Sequence, residues 1–329
     1  MGLFANTPDF KLHAPGISKS YVFKGDLEPI IEQIVETRII DFVSEEQYND
    51  LVTKYEADSL GAEETKLLEY LKPAIAQFTY LHLLTINRVN VTSFGVSESS
   101  AEDGTANPAS FHAIQDVKEE VSDMGYSFFN KALKYLEAQK ATFSLWAGSD
   151  SYTQLRNTFV WNLELLNEHA TYSFNLHSFL SLKPFLKRAG KSIEAVLSKT
   201  LKDDLLSKLK AGTLAGNEIE AVELIQAWEA PLALMLAMPY FRIKAVANNI
   251  LLKTALDGPG PSGSVDNSIV THLMTTVDSL QQEAKGALIR FMDTNYEDFP
   301  AYTKTENEFS DGETNSHFPN NTNKQSFRV

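Results

Sequence analysis

The segment DLEPIIEQI at residues 26–34 has a near copy, SLKPFLKRA, at residues 181–189. Both begin with a residue that can cap a helix, Asp26 or Ser181, and both carry a proline three residues later. A capping oxygen accepts a hydrogen bond from a first-turn amide, and proline is tolerated in that turn because its missing N–H would have had no helical partner. The two segments therefore predict two helices that start in the same way, 155 residues apart.

The residues around these segments repeat in the same order. LFANTPDF at 3–10 corresponds to TFVWNLEL at 158–165, and Ser44 corresponds to Ser198 as a further predicted N-cap. Each copy continues with an apolar helix that contains one proline, a stretch with strand character and a polar, glycine-containing loop. These stretches lie at 67–84, 88–96 and 97–110 in the first copy and at 223–241, 242–250 and 257–268 in the second. A long amphipathic helix then ends each copy.

The repeat predicts a mainly α fold with short β-strands, built from two tandem, internally duplicated helical domains at residues 1–152 and 153–300. An extended acidic and polar C-terminal tail, residues 301–329, follows them. The predicted core residues are Ile30, Ile34, Leu51, Leu68, Ile75, Leu133, Leu186, Leu205, Ile225, Leu234 and Leu288.

The tail has too few apolar residues to form its own core. Its isolated aromatic residues could anchor an extended segment on a neighbouring subunit or another protein of the same particle. These anchors are Tyr302, Phe309, Phe318 and Phe327. The alternative is a dangling tail that only adds solubility.

Composition excludes several classes of protein. A chain of 329 residues with 43% hydrophobic residues can bury two cores, and its net charge of −14 argues against a surface that neutralises nucleic-acid phosphates. The absence of cysteine removes disulfides, thiolate metal sites and thiol nucleophiles. The longest apolar run, residues 230–241, is too short to span a membrane and predicts a buried helix. The N-terminus lacks the features of a signal peptide, so we expect a soluble, unexported protein.

No catalytic motif is present. The seven histidines have none of the spacings that place two metal ligands on one helix face. AGKS at 189–192 resembles the end of a phosphate-binding loop, but Phe185 stands where that loop requires glycine. The sequence therefore predicts no catalytic, cofactor-binding or metal-binding residue and a protein that is not an enzyme. The alternative is a soluble enzyme or ligand-binding protein whose site is assembled only in three dimensions.

The chain resembles an uncharacterised family encoded among the structural genes of tailed phages and prophages of Bacteroidetes-type hosts. The likeness rests on LFANTPDF at 3–10, on TFVWNLELLNEHATYSFNLHSFLSLKPFL at 158–186, and on the helix, strand and loop order described above. Proteins of this kind look like head–tail connector, or neck adaptor, components that assemble as rings between the portal and the tail.

This resemblance implies a virion structural protein that assembles in the host cytoplasm. Its implied partners are further copies of itself in a homo-oligomeric ring and the portal or other neck and tail proteins. DNA would pass through the ring without sequence-specific contacts, and no membrane and no cofactor are implied. An acidic protein suits such a duct because it repels the DNA backbone.

Overall fold

The structure is a computed structural model that describes residues 2–17, 21–86, 89–92, 95–98, 111–170, 173–246, 249–253 and 267–304. Most of these residues are helical, which confirms the prediction of a mainly α fold. We call the chain before residue 156 the first half of the molecule and the chain after residue 162 the second half. The linker between the halves is residues 156–162.

The first half starts with α1 and a long helical segment that contains two π-helical turns. In order, its elements are α1 (Thr7–His13), a π-helical turn (Phe23–Leu27), α2 (Glu28–Ile34), a second π-helical turn (Val35–Ile39), α3 (Ile40–Val43), α4 (Glu45–Glu56), α5 (Ala62–Ile86), β1 (Val89–Thr92), β2 (Gly95–Glu98), α6 (Phe111–Ala138), α7 (Ser144–Ala147) and α8 (Asp150–Leu155). Strands β1 and β2 pair antiparallel, with Val91 opposite Val96.

The second half follows the same order. Its elements are α9 (Leu163–His169), α10 (Leu176–Leu197), α11 (Lys199–Ala211), α12 (Asn217–Ala237), a 3₁₀ turn (Met238–Tyr240), β3 (Arg242–Val246), β4 (Asn249–Lys253), α13 (Asn267–Thr294) and a 3₁₀ turn (Tyr296–Asp298). Strands β3 and β4 also form an antiparallel hairpin. In each half a hairpin therefore lies between two long helices, α5 and α6 in the first half and α12 and α13 in the second.

The two π-helical turns explain why the spacing between the copies drifts. The paired positions Phe23 and Phe179, Pro29 and Pro184, and Ser44 and Ser198 are 156, 155 and 154 residues apart. The first half thus has two extra residues between its phenylalanine and its serine. Each π turn takes up one of them with a hydrogen bond to the fifth residue back, Glu28 N–H to Phe23 O and Ile40 N–H to Val35 O.

The two helices that the sequence predicts to start at Asp26 and Ser181 both begin earlier in the structure. The N-cap assignments of Asp26 and Ser181 are therefore wrong. Asp26 lies inside the first π turn, where its Oδ2 accepts a hydrogen bond of 2.7 Å from Val22 N–H. Ser181 is an interior residue of α10, whose N-cap is Asn175. The sequence suggested a start near the prolines, but Pro184 lies within α10 because packing along the whole helix outweighs its one missing hydrogen bond.

The predicted N-caps Ser44 and Ser198 are confirmed, and both have a strained backbone. Ser44 has φ 67° and ψ 149° and accepts from Gln47 N–H, whereas Ser198 has φ 74° and ψ 155° and accepts from Leu201 N–H. This region of backbone space is essentially restricted to glycine and costs a residue with a side chain about 1–3 kcal/mol. The same strain therefore recurs at the same corner of each half.

Two substitutions of Ser44 separate the stability gained from its capping hydrogen bond from the stability lost to its strained backbone. Ser44→Gly removes the strain and loses only a few tenths of a kcal/mol of capping, while Ser44→Ala keeps the strain and loses the cap. We expect the glycine variant to be more stable than the alanine variant by about 1–2 kcal/mol, measured by urea unfolding. Equal stability of the two variants would show that the corner is not strained.

A matched set of ion pairs fixes the turn between α4 and α5 in the first half and the turn between α11 and α12 in the second. Lys54 binds Asp50 at 2.7 Å and Glu64 at 2.6 Å, and Lys208 binds Asp204 at 2.8 Å and Glu218 at 2.6 Å. All three positions recur 154 residues later. The repeated sequence thus reproduces individual contacts as well as helices.

The helix before the hairpin in each half, α5 or α12, is the most buried element and packs on the long helix that follows the hairpin. Gly125 on α6 lets the first pair approach closely, since a Cβ there would lie 2.7 Å from the Phe78 ring. Asn217–Tyr240 is long and apolar enough to cross a membrane by length and composition alone, and 72% of its most apolar window is buried inside the protein. Of the buried helix predicted at residues 230–241, residues 230–237 lie in α12, whereas Met238–Tyr240 form a 3₁₀ turn in which Tyr240 is exposed.

Nine of the eleven predicted core residues are buried, and Ile30 and Leu133 pack against the core while partly buried. The predicted tail needs a correction at its start. Tyr302, one of the proposed anchors, is buried, and its hydroxyl group contacts Asp293 Oδ1 at 2.9 Å. Ser198 also donates to the Ala301 carbonyl oxygen at 3.0 Å, so residues 301 and 302 belong to the second half. Phe309, Phe318 and Phe327 lie outside the described residues.

Candidate functional site at the junction of the two halves

A cleft of about 270 Å³ lies where the two halves meet. Its walls come from α6, from α7 and α8, from the linker and from the first turns of α9 and α10. Its apolar lining includes Leu133, Trp146, Trp161, Leu163, Leu176 and Phe179. A concave, mostly apolar surface with a few polar groups is the usual form of a small-molecule site.

A buried ion pair forms the polar part of this cleft. Arg156 in the linker contacts Glu137 of α6, with 2.6 Å between Nη1 and Oε1. Its guanidinium group lies 4.0 Å from the centre of the Trp161 ring, and its Nη2 donates to the Leu209 carbonyl oxygen at 3.3 Å. Arg156 therefore joins α6, the linker and the end of α11.

Two atoms of this ion pair are left without a hydrogen bond. Glu137 Oε2 and Arg156 Nε are buried and have no partner among the residues that the structure describes. A buried polar atom without a partner costs about 1–3 kcal/mol, and a ligand group that reached such an atom would recover part of that cost. Both atoms are buried beside the aromatic wall, so a ligand in the cleft reaches them only if the side chains of the ion pair move.

Side chains of α12 hold the linker from the other side. Val160 N–H donates to Glu229 Oε2 at 2.6 Å, and Gln226 Nε2 donates to the Phe159 carbonyl oxygen at 3.1 Å. Burial raises the pKa of Glu229 to about 8, so this carboxyl group is mostly protonated at neutral pH. Glu229 Oε1 has no hydrogen-bond partner in the described part of the chain.

Lys183 of α10 lies on the same side of the linker. Its Nζ donates to the Leu155 carbonyl oxygen at 2.5 Å. Burial lowers the pKa of Lys183 to about 8, while the nearby Glu229 acts in the opposite direction. Gln226 and Glu229 therefore fix the linker, and Lys183 holds the end of α8 directly before it.

The outer edge of the junction is polar and aromatic. Tyr126 of α6 stacks on His177 of α10, with 4.8 Å between ring centres and 14° between ring planes. Asn175 donates to Asp123 Oδ1 at 2.9 Å, and Glu164 binds Lys134 at 3.1 Å. One face of α6 thus packs on α5, and another face meets α9 and α10.

The histidines that the structure describes lie on several different helices. His13 and His169 end α1 and α9 at equivalent positions, His82 and His112 lie on α5 and α6, His272 lies on α13, and His317 lies outside the described residues. Within the described ranges, no three His, Asp or Glu side chains are placed to hold a metal ion. Glu164, which stands near His169 in the sequence, pairs instead with Lys134 of the other half.

Sequence reasoning missed the residues that form this junction. Glu229 stands inside an apolar stretch, AWEAPLALM at 227–235, and a carboxyl group within a predicted core helix is a sign of a specific buried contact. Arg156 had no such sign, because it lies in a short polar stretch whose partners, Glu137 and Leu209, are remote in sequence.

Comparison with known proteins gives one family. A family model described as a family of unknown function (DUF6712) matches residues 31–156 and, again, residues 193–310. No curated protein and no solved structure matches the chain. The two matched segments cover most of the chain, and the first one ends at residue 156, where the linker begins.

Proposed function

We propose that this chain, which belongs to the DUF6712 family of unknown function, is a non-enzymatic subunit of a larger protein assembly. Its most specific form is a head–tail connector, or neck adaptor, of a phage particle that forms a ring between the portal and the tail. The resemblance of LFANTPDF at 3–10 and of residues 158–186 to phage structural proteins supports this form of the proposal.

The proposal includes a tandem duplication in which each copy carries a short hairpin between two long helices, α5 and α6 or α12 and α13. The double match of the family model and the matched ion pairs of Lys54 and Lys208 support it. Two copies of one domain present two similar surfaces to neighbouring proteins. Such repeated surfaces suit an assembly made of many similar contacts.

The observation that carries the proposal is the exposure of apolar residues at the hairpin end of both halves. Ile86 at the end of α5 is 45% exposed, and its counterpart Tyr240, 154 residues later, is 62% exposed. An exposed apolar or aromatic side chain that recurs at the same position in both halves is typical of surfaces that other proteins cover.

The acidic charge is consistent with the proposed place in the particle. A net charge of −14 would keep DNA from adhering to the ring as it passes through. We include in the proposal that the segment after Lys304, with Phe309, Phe318 and Phe327, docks on a neighbouring subunit or another particle protein. Localisation to the virion, after assembly in the host cytoplasm, follows from the same proposal.

The proposal predicts that the purified protein forms a discrete oligomer with a mass that is a multiple of 36.7 kDa. Native mass spectrometry and particle images at several concentrations measure this directly. We expect closed rings, and removal of residues 305–329 should weaken their formation without loss of helical signal. A monomer at every concentration, with or without the tail, would contradict the assembly role.

The junction cleft favours a second candidate function, a ligand-binding protein or an enzyme whose site is assembled only in three dimensions. Its support is the apolar volume of about 270 Å³ beside the unpartnered Glu137 Oε2 and Arg156 Nε. The same native mass spectra separate the two candidates. A monomer that retains a small molecule until Trp161→Ala is introduced would favour the second one.

A further inference from the structure

We infer that the contact between the two halves of one chain is repeated between chains, so that α13 of one copy packs on the N-terminal face of the next copy. This inference rests on the proposed assembly role and names its interface. The α13 face comprises Gln282, Ile289 and Arg290. The N-terminal face comprises Val22, Phe23, Glu28 and Glu32.

The contact inside the chain supplies the template. On one side, α6 presents Tyr126, Leu133 and Lys134 to the second half. On the other side, α10 presents His177 and Phe179. Because the halves have the same elements in the same order, each of these positions has a counterpart in the other half.

The counterparts on the N-terminal face are apolar and uncovered. Phe179 is buried by the first half, but its counterpart Phe23, 156 residues earlier, is only partly buried. The contrast is larger at the preceding position, where Ser178 is 1% exposed and its counterpart Val22 is 64% exposed. Position 22 therefore has an exposed valine, whereas the corresponding residue of the second half, Ser178, is a covered serine.

The counterparts on α13 are equally well defined. Val121 and Val277, Leu136 and Met292, Phe143 and Phe299, and Trp146 and Tyr302 are all buried pairs 156 residues apart. The same spacing assigns Gln282 to Tyr126, Ile289 to Leu133 and Arg290 to Lys134. Gln282 and Arg290 are exposed, and Ile289 is partly buried.

The charges of the two faces are complementary. Lys134 binds Glu164 of the second half, and Arg290 keeps a positive charge at the corresponding place on α13. The counterpart of Glu164 is Asp9, which Lys72 already binds at 2.9 Å. Two further carboxylates of the N-terminal face, Glu28 and Glu32, line a second cleft of about 260 Å³ together with Phe23. An arginine that enters this acidic rim beside an apolar centre is a common arrangement in protein interfaces.

The partner that fits the N-terminal face is therefore a second copy of this chain. The contact is head to tail, since different faces of the two copies meet. A contact of this kind produces a ring when the rotation closes and a filament when it does not. The internal junction is the first such step, and each further copy adds an equivalent one.

Single cysteines test the inference cleanly because the chain has none of its own. Val22→Cys protein is mixed with Gln282→Cys protein, and a short bis-maleimide joins cysteines that lie close together. We expect a cross-linked dimer that contains one copy of each variant. The matched control replaces Val22→Cys with Leu12→Cys, because Leu12 is 80% exposed and its counterpart Glu168 is also exposed, outside the template contact.

A second pair of variants measures the strength of the contact. Val22→Asp should weaken self-association by more than about tenfold, since it places a charge at the apolar centre of the interface. Leu12→Asp should change self-association by about twofold or less. Circular dichroism of both variants should retain the helical signal of the unchanged protein, because both side chains are exposed.

The possible outcomes separate this inference from the proposed function. Cross-linking of Val22→Cys with Gln282→Cys, but not of the Leu12→Cys control, supports the inferred interface. An oligomer that forms without this cross-link, and that Val22→Asp leaves intact, overturns the interface and leaves the assembly role standing. A protein that stays monomeric at all concentrations overturns both.

Discussion

Replacing Glu137 with leucine is expected to lower the free energy of unfolding by about 3 kcal/mol, because it leaves the Arg156 guanidinium buried without its counter-charge. Arginine cannot lose its proton in a protein, so the charge has to be accommodated in place. Arg156 is buried against Trp161 and the Leu209 carbonyl oxygen, and neither of these is an anion. Glu137 is partly exposed, which places the effect at the lower end of the range for buried pairs.

A double-mutant cycle isolates the ion pair from the packing around it. Arg156→Met removes the other partner, and the combination of Glu137→Leu with Arg156→Met replaces the pair with apolar side chains of similar length. We expect the double variant to be nearer to the unchanged protein than either single variant, as measured by urea unfolding. Single effects that are small and simply additive would contradict a coupled buried pair at the junction.

Glu229→Gln is expected to stabilise the protein progressively as the pH rises from about 4.5 to about 8. In this window the unfolded chain has lost the Glu229 proton, whereas the folded chain retains it because burial raises the pKa to about 8. Unfolding then releases a proton, so the contribution of Glu229 to stability falls by up to about 1.4 kcal/mol per pH unit. Below the window both states are protonated, and above it both are ionised.

Glutamine keeps an oxygen that can accept the Val160 N–H and does not titrate. The difference in unfolding free energy between the variant and the unchanged protein should therefore be small at pH 5 and reach several kcal/mol at pH 8. Lys183, whose pKa burial lowers to about 8, stays charged in both states across most of this window and adds no slope there. Glu223→Gln, which removes an exposed carboxylate from the same helix, is the matched control. A constant difference between pH 5 and pH 8 would show that Glu229 is ionised in the folded protein.

The sequence could predict the helical elements because the forces that form them are local. A helix with an apolar face is encoded within a few turns, and the caps at Ser44 and Ser198 depend on amides only three residues away. The order of the elements in the two copies could be compared for the same reason. Helix starts are harder to predict, because asparagine and serine are both good caps and packing decides between them. In α10 the N-cap is Asn175 and not Ser181.

The spacing between the copies was visible in the sequence, but its cause was not. The shift from 156 to 154 residues between Phe23 and Ser44 could have come from a loop or from a bulge in a helix. The structure places both extra residues in π-helical turns, which keep the helix continuous from Phe23 to Val43. A loop would have exposed backbone amides and interrupted the apolar face.

The sequence by itself determined a mainly helical chain in which the same order of helices occurs twice. It also determined the N-caps Ser44 and Ser198 and the burial of α12. Only the tertiary structure decided the junction, where Arg156 meets Glu137 and Glu229 meets Val160, and it placed Tyr302 within the second half. The physical reason is distance along the chain. Periodicity and capping are local, whereas a buried charge or an apolar side chain is stabilised by partners that folding brings from 19 to 69 residues away.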